Sequence, residues 1–176
     1  MHDALLHEIG LPHEHVFYPL GYPLRISTNS SALLDTASTT WAGFPQLART
    51  PTLDVRIAVS ADSARVPQPP VFRAQRHLMT IVSDSGNYAV CDHERAFAFG
   101  WLSEAALREP GFVRYYFLEA IAFHLLTQLY VTPVHAACVT RKGHGILLCG
   151  DSGAGTSSAM PESGTSRAES ATPIAR

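Results

Sequence analysis

Gly150, Gly153 and Gly155, followed by Thr156 and Ser157, form the stretch of this chain whose residue types and spacing could do chemistry. Glycine tolerates φ > 0, so successive backbone N–H groups in such a loop can turn inward and cradle phosphate oxygens. Against the pattern G-x-x-x-x-G-K-[ST], Gly150 and Gly155 fall in register, with Asp151, Ser152, Gly153 and Ala154 between them. Ser157 takes the hydroxyl position that holds Mg²⁺, while Thr156 stands where a lysine would neutralise the β and γ phosphates. The backbone half of a nucleotide site is written here without its main fixed charge. On the pattern alone, a strand followed by a Gly/Ser turn is an equally good reading.

The elements that must position this loop lie directly upstream. Val134 to Thr140 and Gly145 to Cys149 are short apolar runs separated by a turn at Arg141, Lys142 and Gly143, and they read as two strands. The second contains Ile146, Leu147, Leu148 and Cys149, apolar on both faces, as a buried parallel strand feeding a phosphate loop would be. The wording of His135 to Ala137, then Gly145 to Gly155, then Ser157 and Ser158, closely resembles the nucleotide-binding segment of the HPr kinase/phosphorylase family. The resemblance is concentrated in residues 113 to 158 and departs at Thr156.

That resemblance implies ATP and Mg²⁺ as cofactors. It also implies phosphorylation, and reversal of phosphorylation, of a serine on the phosphocarrier HPr or on another protein substrate. By position, Gly150 to Gly155 together with Thr156 and Ser157 would bind the nucleotide phosphates, Ser157 would ligand Mg²⁺, and His135 would line the phosphate side. The family also carries a helix, further strands and an acidic catalytic motif after the loop. The expectation is therefore an ATP-binding, kinase-derived protein that is catalytically inactive, because both the loop lysine and the downstream carboxylate are missing. A non-catalytic interaction module built on the N-terminal region, or a truncated gene product, is the alternative.

Composition narrows the remaining classes. A chain of 176 residues with 46% hydrophobic residues can build a core, and a formal charge of −2 offers no basic field for nucleic acid. No stretch of 18 apolar residues suggests a membrane span, and the N-terminus lacks the pattern of a secretory leader. Cys91, Cys138 and Cys149 have no metal-type spacing and read as small core residues in a reducing, cytoplasmic setting. Oligomeric state is not readable.

Upstream, His2, His7, His13 and His15 suggest a metal only if a strand aligns them, and Pro12 argues for solvated surface histidines. Strands are expected at Val16 to Tyr18 and Leu24 to Thr28, and a helix from Ala32 to about Trp41 after an Asn29–Ser30 cap. Leu53 to Ser60 alternates as a half-buried strand, and Val66 to Pro70 is a loop. A meander follows, with strands at Leu78 to Ser83, Tyr88 to Cys91 and Ala96 to Trp101, the last placing Phe97, Phe99 and Trp101 on one face. Asp92, His93 and Glu94 could serve acid/base chemistry, but a polar turn between two strands explains them better.

Phe112 to Tyr130 carries a helical apolar stripe ended by Thr132 and Pro133. The fold expected is α/β: a mixed or meander-like region over 1–110, the incomplete start of a phosphate-loop domain over 111–155, and a disordered tail over 156–176. The abrupt Ser/Thr/Ala-rich change at Thr156 suggests a frameshift or similar truncation there.

Overall fold

A crossover frames the first half of the chain: β2 (Leu24–Thr28) runs into α1 (Ser31–Trp41) and returns as β3 (Leu53–Ser60), which pairs parallel to β2 with Ile26 opposite Val55. This is a computed structural model, and it describes residues 9–61, 67–134, 136–142 and 144–149. Alternation explains why the crossover closes. Leu24, Ile26, Leu53, Val55 and Ile57 are at most 1% exposed on one face, and the helix contributes Leu33, Ala37 and Trp41 to the core.

The sheet then grows on both sides. β1 (His13–Phe17) pairs antiparallel with β2 at one edge. On the other side β3 is parallel to β7 (Phe97–Ser103), reached through the antiparallel meander β4 (Val71–Gln75), β5 (Leu78–Asp84) and β6 (Asn87–Asp92). The order is β1-β2-β3-β7-β6-β5-β4, a seven-stranded mixed sheet, and the fold is mixed α/β as expected. Gly100 sits where strands approach closely: a Cβ there would lie 2.9 Å from the Tyr88 carbonyl oxygen.

After β7, α2 (Glu104–Leu107) and α3 (Pro110–Val113) lead into a π-helical turn, Arg114–Glu119, and then α4 (Ala120–Leu129). Caps between the last three keep right-handed helical angles, so they form one continuous rod. Arg114 donates to Glu119 at 2.8 Å, five residues on, the spacing that stacks in a π turn. Val113, Phe117, Leu118, Ile121, Ala122, Leu125 and Leu126 are buried, and α4 packs on β6. The chain divides into two compact units between Leu129 and Tyr130. The rod, expected at the start of the second segment, lies in the first.

A buried polar joint ties the meander to α2. Asn87 is 1% exposed; its amide nitrogen donates to both Asp84 carboxylate oxygens at 3.0 Å, and its oxygen accepts from the Ser103 N–H at 2.9 Å and hydroxyl at 3.1 Å. Ser103 in turn caps α2 by accepting from the Ala106 N–H at 3.2 Å. Asn87→Ala strips this joint and leaves a buried N–H unpaired, so urea unfolding should show a loss of about 2–4 kcal/mol. Asn87→Asp should lose at least as much, because it turns the donor that meets Asp84 into a second buried carboxylate in contact with the first.

Candidate functional site

Of the expected nucleotide site, the structure describes the strands that lead to it. β8 (Ala136–Arg141) and β9 (His144–Cys149) form an antiparallel hairpin with Cys138 opposite Leu147 and Val139 opposite Ile146. Lys142, in the turn, has φ 51°, a left-handed conformation that closes a tight connection. Both strands fall where the sequence placed them, and β9 ends at Cys149, immediately before Gly150.

The setting of β9 differs from the expectation of a buried parallel strand. Its described neighbour is antiparallel, and Ile146 and Leu147 are 65% and 42% exposed. Among the described residues the hairpin gives β9 one partner strand, and Ile146 and Leu147 stay exposed on it. Cys149 is exposed and Cys138 half-buried, so of the three free thiols only Cys91 is a core residue as anticipated. Burial pushes the Cys91 thiol up to about 12, which keeps it protonated and unreactive.

The residues assigned to phosphate, Gly150, Asp151, Ser152, Gly153, Ala154, Gly155, Thr156 and Ser157, lie outside the described residues, as does His135. The described residues reach the start of this stretch at Cys149, the last residue of β9. Lys142, one turn upstream, is exposed.

The two other polar clusters resolve differently. His13 and His15 do occupy a strand, despite Pro12, and sit opposite Thr28 and Ile26 on one face. Both are exposed, His15 rests against Phe17 with ring centroids 4.7 Å apart, and no metal-holding group of three occurs among the described residues.

Asp92, His93 and Glu94 form the turn between β6 and β7. The Asp92 carboxylate accepts from the Arg95 backbone N–H at 3.1 Å and its guanidinium at 2.7 Å, while His77 Nδ1 lies 3.8 Å from Glu94. Burial works to raise the Asp92 pKa, but the bonds and charge of Arg95, with a smaller contribution from His77, hold it below the usual carboxylate range. Such a carboxylate is a poor proton acceptor near neutrality, which fits a turn lock better than a general base. His93 instead meets His124 of α4, a contact that spacing could not reveal because 31 positions separate them.

The sheet face away from α1 and α4 is a different surface. Phe97, Phe99 and Trp101 alternate there on β7 as expected, with Tyr88 and Val90 beside them on β6, all half-buried. Arg56 lies over the Phe97 ring at 5.6 Å and bonds Asp54 at 3.2 Å, and Arg25 reaches the same carboxylate at 3.4 Å. The cations are thus occupied within the surface.

Comparison with family models, with curated proteins and with solved structures returns no match for this chain. No helix among the described residues is long and apolar enough to cross a membrane.

Proposed function

We propose that this chain is an HPr-kinase-like ATP-binding protein, cytoplasmic, that has lost phosphoryl transfer. The observation that carries the reading is the junction of β9 with Gly150: a strand ending at Cys149 delivers a glycine loop in register with the phosphate-binding pattern from Gly150 to Ser157. Backbone N–H groups in such a loop hold phosphate without a side chain, and Ser157 supplies an oxygen suited to Mg²⁺. Thr156 removes the cation that would neutralise the transferring phosphoryl group, and catalysis of this transfer is chiefly electrostatic.

Incubating the purified chain with labelled ATP, Mg²⁺ and HPr should therefore label no protein. Transfer to the HPr serine would overturn the assignment of an inactive kinase.

A second reading has its own support. The aromatic face of Phe97, Phe99 and Tyr88 on the large sheet suits a non-catalytic interaction module, for which nucleotide would have no effect on binding or stability. Absence of any ATP-induced stabilisation would favour it.

A further inference from the structure

Two imidazoles from distant parts of the first unit meet where α4 seats on the sheet. His93 stands in the β6–β7 turn, anchored by its backbone N–H donating to the His77 carbonyl at 3.0 Å. His124 stands in α4, flanked in sequence by the buried Ile121, Ala122, Leu125 and Leu126. Their ring centroids are 5.7 Å apart and the planes tilt by 58°. His93 Nδ1 and His124 Nε2 are both buried, and neither has a hydrogen-bond partner among the described residues. An unpaired buried polar atom is destabilising, so apolar packing around the pair holds it in place against its own polar chemistry.

The charged groups around the pair are committed elsewhere. In the turn, Asp92 is bonded to Arg95 and Glu94 faces His77. On β6, Cys91 is a neutral thiol. Along the helical rod, Glu119 is bonded to Arg114. His124 forms no ion pair with any carboxylate of the described residues.

We propose that His93 and His124 form a proton-operated release between α4 and the β6–β7 turn. While the His124 ring is neutral, α4 stays seated; a proton on His124 places a cation in a half-buried site against a second imidazole, and α4 lifts from the turn. Burial first, and the neighbouring His93 charge second, hold the His124 pKa below 6.5. In the unfolded chain the ring keeps its ordinary value, so between the two values the unfolded state binds more protons. The stability supplied by the neutral His124 ring is complete above pH 6.5 and is lost as pH falls through the folded-state value. Leu129 ends α4 and the first unit, so this release would act on the helix from which the chain departs toward β8.

The test uses the full chain. Proton NMR of the imidazoles should show His124 titrating below pH 6.5, and hydrogen exchange should show the amides of Ala120 to Leu129 losing protection as pH falls through that His124 midpoint while those of β3 keep theirs. His124→Gln should abolish that pH-dependent loss. His93→Gln, which removes the neighbouring ring together with its charge, should raise the His124 midpoint and serves if the first variant does not fold. A His124 midpoint at or above 6.5, α4 protection that is the same above and below the His124 midpoint, or a pH-dependent loss that persists in His124→Gln would overturn the proposal.

Discussion

Phe117→Ala should cost the first unit about 3–5 kcal/mol, among the largest single-residue losses in this protein. Phe117 is 1% exposed in the π-helical turn, with its ring 5.7 Å from that of Phe112. Truncation removes most of a buried aromatic surface and leaves a cavity that a helical rod and a sheet cannot both collapse to fill. Domains of this size are stable by about 5–15 kcal/mol in all, so the variant gives up roughly a fifth or more of the total. Phe123→Ala makes the control: one residue type and the same rod, but 54% exposed, and expected to lose less than about 1 kcal/mol. Urea denaturation of the two variants decides it. Equal losses would mean that the buried side of this rod is misassigned.

Thr156→Lys should strengthen ATP binding by roughly tenfold or more, because a charge-assisted contact to phosphate contributes about 1.5–3 kcal/mol. The gain should depend on the triphosphate: AMP, which lacks β and γ phosphates, should bind the variant and the natural chain alike. Phosphoryl transfer should not return with it. Transfer needs a carboxylate aligned with the serine hydroxyl, and a lysine at 156 supplies none. An unchanged ATP affinity in Thr156→Lys would remove position 156 from the phosphate site altogether.

Much of the first unit was legible because its strands alternate. Leu53, Val55 and Ile57 announced β3, and Phe97, Phe99 and Trp101 announced a face of β7, since a half-buried strand must repeat every two residues. The helical stripe from Leu118 to Leu126 was equally plain, although nothing in it signalled the π turn at Arg114–Glu119. β4 was missed: Val71, Phe72, Arg73, Ala74 and Gln75 are all exposed at the sheet edge, so no burial imposed a pattern on them. The parallel pairing of β3 with β7 was also unreadable, because alternation tells which face a side chain takes and not which strand lies beside it.

At the candidate site the limits were different. β8 and β9 were legible from their apolar runs and the Lys142 turn, but the inference from apolar content to burial failed for Ile146 and Leu147. Burial depends on a covering layer, and residues within the strand do not encode one. The β6–β7 turn was read well, since Asp92 does lock it through Arg95. The meeting of His93 with His124 needed the fold.

Calorimetric titration of the natural chain with ATP, with and without Mg²⁺ and alongside Thr156→Lys, tests the central reading most directly. The phosphate-loop assignment predicts weak, Mg²⁺-dependent binding to the natural chain and at least about tenfold tighter binding to the variant. No detectable binding to either protein would contradict nucleotide binding itself, and a submicromolar dissociation constant for the natural chain would contradict the view that Thr156 impairs the site.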